Sequence, residues 1–96
     1  MKLSGEGAKN VTTAGTPVAI GTATNQPIEA IVITAKAANT GTIYVGTSSV
    51  LASTFTGTPI TAGKSVTFPL GSGDLDTIYI DSTVNGEGVS YTYFTV

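Results

Sequence analysis

The 96-residue chain contains no cysteine, histidine, arginine or tryptophan, and these absences exclude several kinds of site. Without cysteine there is neither a disulfide framework nor a thiolate metal site. Without histidine or cysteine, the many serine and threonine side chains have no evident base to activate them as nucleophiles. A Ser–Lys pair using Lys36 or Lys64 stays open, although no motif points to one. We therefore expect a protein that is not an enzyme and that carries no cofactor.

Charge is also scarce, because only 10% of the residues are charged, against about 25% in an average soluble domain. The four lysines are scattered, so no basic patch offers the counterion release on which nucleic-acid binding depends. The net charge of −2 gives no attraction to an anionic membrane, and no segment approaches the ~20 apolar residues of a membrane span. We predict no nucleic-acid or membrane partner. A surface of threonine, serine and glycine instead favours packing against copies of the chain or against other proteins.

Four of the six acidic residues lie in the last third of the chain, at Asp74, Asp76, Asp81 and Glu87. Asp74 and Asp76 flank one residue beside a glycine-rich loop and could supply oxygen ligands for Ca²⁺, but the twelve-residue calcium-loop pattern is absent. Acidic residues also commonly flank strands and keep their ends soluble. We prefer this interpretation and predict no metal site.

The residues that are abundant favour strands, since β-branched and aromatic side chains carry most of the apolar content. One pattern occurs twice, as Thr-Ile-Tyr-Val-Gly-Thr at residues 42–47 and Thr-Ile-Tyr-Ile-Asp-Ser at residues 77–82. Alternation places the aliphatic residues of each stretch on one face and Tyr44 or Tyr79 on the other. We expect both stretches to be inner strands of a sheet.

Further strands are predicted at residues 17–20, 28–35, 58–61, 65–70 and 89–96, separated by turn signals. Residues 28–35 are almost continuously apolar, and the last strand carries apolar side chains on both faces. We expect both to be covered on both sides, inside a sandwich or at an interface. Residues 39–41 and the Asn85-Gly86 pair have the composition of tight hairpin turns. The sequence predicts an all-β fold, a small β-sandwich or jelly roll of seven or eight short antiparallel strands.

Residues 1–16 are small and polar, with Leu3 and Val11 as their principal apolar side chains. We expect an extended N-terminal arm, either flexible or ordered by a neighbouring subunit, and a single β-sandwich domain over residues 17–96. The N-terminus lacks the apolar segment of a secretory signal, which predicts synthesis and use without export. Leu3 and Val11 are candidate gripping residues of the arm. Tyr91 and Tyr93 share one face of the last strand and are candidates for a self-association surface.

Three stretches of the sequence resemble a known class of proteins. They are Asn-Thr-Gly-Thr-Ile-Tyr-Val-Gly at residues 39–46, Thr-Ala-Gly-Lys-Ser-Val-Thr-Phe at 61–68 and Asp-Leu-Asp-Thr-Ile-Tyr-Ile-Asp-Ser at 74–82. They resemble small Thr/Gly-rich β proteins encoded among the structural genes of tailed bacteriophages. The resemblance covers about residues 28–96 and carries no site motif. It implies a capsid decoration (cement) protein, often trimeric, that is made in the host cytoplasm, binds the major capsid protein and resides on the virion surface.

Two alternative roles on the virion stay open. One is a fibre-base module of the virion. The other is a glycan-binding module, which would use Tyr44 and Tyr79 as a stacking platform on an exposed sheet face.

Overall fold

A computed structural model describes residues 1–96 as eight β-strands and two three-residue 3₁₀ turns. The all-β prediction is confirmed. No helix of the structure has the length and apolar character needed to cross a membrane. The strands are β1 (Lys2–Asn10), β2 (Val18–Ala19), β3 (Ile28–Ala35), β4 (Thr42–Gly46), β5 (Thr58–Thr61), β6 (Ser65–Gly73), β7 (Tyr79–Ser82) and β8 (Gly88–Thr95).

The strands form two four-stranded antiparallel sheets. The first sheet has the order β1-β8-β3-β6 and the second the order β2-β7-β4-β5. This interleaved order, in which only β4 and β5 are neighbours in both sequence and sheet, is the double-sheet topology of a jelly roll. The two Ile-Tyr stretches form β4 and β7, the adjacent central strands of the second sheet, as expected. The second stretch enters its strand two residues late, because Leu75–Thr77 forms a 3₁₀ turn.

The turns at residues 39–41 and 85–86 do not close hairpins, although their composition predicted them. β3 pairs with β6 and β8, and β7 pairs with β2 and β4, so both turns carry the chain from one sheet to the other. Gly86 has φ of +81°, a conformation that glycine adopts without a steric penalty. The prediction of a turn there was right, but the pairing of the strands around it was not.

The core lies between the two sheets and consists of thirteen buried side chains. Alternation fixes the positions of those that lie in strands, since every second residue of a strand faces inward; Val11, Ile20, Leu75 and Ile78 lie in the connections. On β3, Ile31, Ile33 and Ala35 are fully buried on the inner face, paired with Tyr93, Tyr91 and Val89 of β8. The second sheet contributes four aliphatic residues: Ile43, Val45, Ile60 and Ile80.

Residues 2–10 are not a separate arm. They form β1, the edge strand of the first sheet, and pair with β8 along their whole length, from Lys2 opposite Thr95 to Asn10 opposite Gly88. The expected boundary at residue 16 is therefore wrong for β1, which belongs to the same domain as the rest of the chain. Val11, a predicted gripping residue, is 0% exposed and is part of the core.

Candidate interaction surface

The two sheets differ in what covers their outer faces. On the second sheet, the loop between β4 and β5 folds back over the strands, and Val50 and Ala52 pack on Tyr44, which is only 8% exposed. Tyr79 packs against the same small cluster. These tyrosines therefore do not form an exposed stacking platform, and the glycan-binding alternative loses the residues on which it was based.

The outer face of the first sheet, which we call the open face, is largely exposed, and Ala30, at 8% exposed, is its one buried outward residue. The open face consists of the outward residues of β1, β8, β3 and β6, which lie opposite one another on neighbouring strands. Pairing places Leu3 beside Phe94, Phe94 beside Ala30, and Ala30 beside Pro69. These four form an apolar row that crosses all four strands at one end of the sheet. Leu3 is 63% exposed.

The rest of the open face is small and polar. The next row is Glu6, Thr92, Val32 and Thr67, and the one after it is Ala8, Ser90, Thr34 and Ser65. A shallow groove of about 520 Å³ runs over the β1, β8 and β3 parts of these rows. Glu6 is the single charged residue in the three rows. These three rows are therefore almost uncharged and apolar at one end, and the Met1 ammonium group and Glu29 lie 3.7 Å apart beside that end.

Tyr91 and Tyr93 lie on the opposite face of β8, toward the core. Their rings stack with centroids 6.4 Å apart, and both pack against the core cluster. Tyr93 covers Gly5 and Tyr91 covers Gly7 of the adjacent edge strand, where a Cβ on Gly7 would lie 2.5 Å from the Tyr91 hydroxyl oxygen. Burial, and to a smaller extent the neighbouring Tyr93, raises the pKa of Tyr91 above its ordinary value. The two half-buried rings thus pack β1 against the core.

Of the four predicted partner-binding residues, the structure places only Leu3 on an outward surface. Phe94, which sequence analysis did not single out, lies next to it. The signal for Phe94 was present in the sequence, since its alternation with Tyr91 and Tyr93 puts it on the other face of the strand. It could be interpreted only once the structure showed which face was covered.

Three of the four acidic residues in the last third of the chain hold backbone N–H groups. Asp81 is 0% exposed, and its carboxylate accepts hydrogen bonds from the N–H groups of Gly15 (3.0 Å), Ser82 (2.9 Å) and Ala52 (2.8 Å). It thereby attaches the loop after β1 and the loop after β4 to strand β7. A carboxylate with this many donors is satisfied without a cation.

Asp74 and Glu87 act in the same way nearer the surface. Asp74 accepts from the N–H of Leu75 and from the N–H and hydroxyl of Thr24. Glu87 accepts from the N–H groups of Thr40 (2.6 Å) and Gly41 (2.8 Å). Each carboxylate joins two loops that are distant in sequence. No group of three or more acidic side chains comes together in a way that could hold a metal ion.

The hydrogen bond from the Thr24 N–H is the main cause that holds the pKa of Asp74 below its ordinary value. Burial acts in the opposite direction, and further donors, including the Leu75 N–H, lower the pKa as well. The N–H groups of Thr40 and Gly41 lower the pKa of Glu87 in the same way. Hydrogen bonds to the ionised form favour that form.

One large aromatic side chain projects from the covered side of the sandwich. Phe55, at the end of the 3₁₀ turn Ala52–Thr54, is 77% exposed and has φ of +57°. Its ring centroid lies 6.4 Å from that of Tyr44. Its ring forms one side of a cleft of about 330 Å³, which we call the Phe55 cleft, and the other lining residues are Ala14, Gly15, Ala52, Ser53, Ser82 and Thr83.

No protein-family model matches the chain, and neither the curated proteins nor the solved structures contain a match.

Proposed function

We propose that this protein is a structural protein of a tailed-phage virion, a capsid decoration protein that binds the assembled shell and stabilises it. The observation that carries the proposal is the open face, with its apolar row of Leu3, Phe94, Ala30 and Pro69. The resemblance of residues 28–96 to phage structural proteins is consistent with it. The jelly roll agrees at the level of analogy, because viral capsid domains use this fold among others.

The open face supports binding to a large flat partner because of its shape and low charge. Sequence patterns on β3 and β8 are typical of strands covered on both sides, yet the chain covers only their inner faces. A partner on the open face would supply the second cover. The single charge in its three rows, Glu6, means that little charge has to be desolvated when the face is buried. The major capsid protein is the partner that the proposal names.

The mechanism is mass action. A protein that binds only the assembled shell lowers the free energy of that state relative to the free subunits, by an amount set by its concentration relative to its dissociation constant. Such a role needs a rigid body and an exposed contact face. It needs no catalytic group.

The test is binding of the purified protein to expanded capsids, measured by co-sedimentation for wild type, Phe94→Ser and Leu3→Ser. Truncating a well-packed apolar anchor of an interface costs more than about 1 kcal/mol, which is about fivefold in the dissociation constant, and we expect at least this weakening for each variant. Phe55→Gly is the matched control, because it removes an exposed aromatic ring on the other side of the sandwich. Equal binding by all four proteins would refute the assignment of the open face.

The fibre-base role is the alternative within the same virion. Fractionation of purified virions into capsids and tails, with the copy number of the chain in each, distinguishes the two. A high copy number in the capsid fraction supports decoration. A few copies in the tail fraction would favour the fibre-base role over capsid decoration. Absence of the chain from both the capsid and the tail fractions would overturn the virion assignment.

A further inference from the structure

We infer that the surface around Phe55 is a self-complementary dimer contact, in which Phe55 of each copy inserts into the Phe55 cleft of the other. This inference concerns the side of the sandwich opposite the open face and does not depend on the proposed function. It assigns one occupant to the cleft, a second copy of this chain.

The first argument is the way in which the chain displays this ring. A bulky residue with φ of +57° is a backbone outlier, and such residues persist only where the surrounding structure holds them. Here the Phe55 N–H donates to the Ala52 carbonyl at 3.1 Å, and Leu51 pairs with Thr56 on either side of the turn. The turn fixes the backbone, yet it leaves the ring 77% exposed. A glycine would fit the same turn without strain, so the backbone alone does not account for an aromatic residue here.

The second argument is the chemistry of the cleft. Phe55 forms one side of the cleft, and the other six lining residues are small and uncharged and come from the loops after β1 and β4 and from the end of β7. Beneath them lies Asp81, whose two carboxylate oxygens already accept three backbone N–H groups, so the cleft floor presents no free charge. A cleft of about 330 Å³ with such a lining suits an aromatic ring.

The third argument is the position of the ring relative to the cleft. A two-fold contact requires the same patch on both copies, so that residue i meets residue j while j meets i. Phe55 lies at the margin of its own cleft, and a two-fold axis between them would place each ring in the cleft of the other copy.

Charge also permits this contact between identical surfaces. No charged residue occurs in residues 10–28 or in residues 37–63, which include the first and second of these loops. These two loops can therefore approach their copies without placing like charges opposite one another. Glu87 lies near Thr83 at the edge of the cleft, and its carboxylate is held by the N–H groups of Thr40 and Gly41. The contact is small, so we expect a weak dimer that forms at submillimolar concentration.

Sedimentation equilibrium of wild type and Phe55→Gly tests the inference. We expect wild type to reach a monomer–dimer equilibrium, and the variant to dimerise at least about tenfold more weakly. Glycine adopts a positive φ freely, so the thermal unfolding midpoint of the variant should not be lowered, which separates a lost contact from a lost fold. A wild type that stays monomeric, a trimer, or a variant that dimerises as wild type does would each overturn the inference.

A second readout uses the absence of tryptophan from the chain. Phe55→Trp places a single fluorophore at the contact, and its emission should shift to shorter wavelength as the concentration rises through the dimerisation range. Lys64→Trp, in the exposed turn between β5 and β6, is the control and should show no shift. If dimers form while the emission of the Phe55→Trp variant stays constant, the contact lies elsewhere. Loss of dimers in Phe94→Ser would transfer the contact to the open face and also overturn the inference.

Discussion

Tyr93 lies across Gly5 of the adjacent strand and fills the space that a side chain at position 5 would occupy. Tyr91 does the same over Gly7, so two aromatic rings of β8 replace the side chains that the inner face of β1 lacks. This relationship explains how a strand with little apolar content of its own becomes part of the domain.

The contact between Tyr93 and Gly5 predicts that Gly5→Val destabilises the protein, although valine is a better strand residue than glycine. The added side chain would collide with the tyrosine ring, and overpacking of this kind costs about 1–3 kcal/mol. Urea unfolding measures the change. Ala8→Val on the outer face of the same strand is the control, and it should be neutral or slightly stabilising. Stabilisation by both substitutions would contradict the packing.

The buried carboxylate of Asp81 predicts a large effect for Asp81→Asn. The amide keeps one acceptor oxygen but places an NH₂ group against a backbone N–H donor, which leaves a buried donor unsatisfied. Hydrogen bonds to charged groups are worth about 1.5–3 kcal/mol, and we expect a loss of roughly 2–4 kcal/mol in the free energy of unfolding. The exposed Asp76→Asn should change it by less than about 0.5 kcal/mol. Similar values for the two variants would show that Asp81 does not hold its loops.

Asp74 and Glu87 predict a loss of stability in acid. Both carboxyl groups have a pKa in the folded protein below the ordinary values of 3.8 and 4.5, so the unfolded chain binds protons more readily. The contribution of these two carboxylates to the free energy of unfolding is complete at a pH above 3.8 and 4.5, respectively. It is lost as the pH falls through these values toward the lower pKa of the folded protein. Unfolding free energies measured between neutral pH and about pH 2 should therefore fall less steeply for Asp74→Asn and Glu87→Gln than for wild type. An unchanged slope in both would contradict the assignment.

Leu3 and Val11, alike in sequence terms, should respond differently to truncation. Val11 is 0% exposed in the core, and Val11→Ala should cost about 2 kcal/mol from lost burial and the cavity left behind. Leu3 is 63% exposed, and Leu3→Ala should change the free energy of unfolding by less than about 0.5 kcal/mol. Thermal or urea unfolding of the two variants checks both values. A costly Leu3→Ala would place that side chain in the core of the domain.

Sequence alone predicted much of the fold, because most strands combine β-branched content with clear turn signals. β3 and β5 have the predicted bounds, and the Ile-Tyr stretches form adjacent strands. β1 was missed because Gly5 and Gly7 give no hydrophobic alternation, and its apolar cover comes from a strand more than eighty residues later. The jelly-roll connections were missed because a turn signal does not say which strands pair across it.

The candidate surface was less accessible to sequence reasoning. Whether an apolar strand face belongs to the core or forms a contact surface depends on what covers it. The loop between β4 and β5 covers Tyr44 on the second sheet, whereas Phe94 faces outward on the first sheet. Phe55 was not singled out from the sequence. Its exposure and left-handed backbone could be recognised only in three dimensions.

The pairing of β1 with β8 has a consequence for how the molecule is made. In the first sheet no strand bonds to its neighbour in sequence, and β1 has no partner other than β8. During synthesis β1 leaves the ribosome first and must wait, unpaired, until the eighth strand has followed it. The sheet therefore closes only after translation of all eight strands, and the long loops to be closed predict slow folding, in the range of milliseconds to seconds. Until then the glycine-rich start of the chain has nothing to cover it.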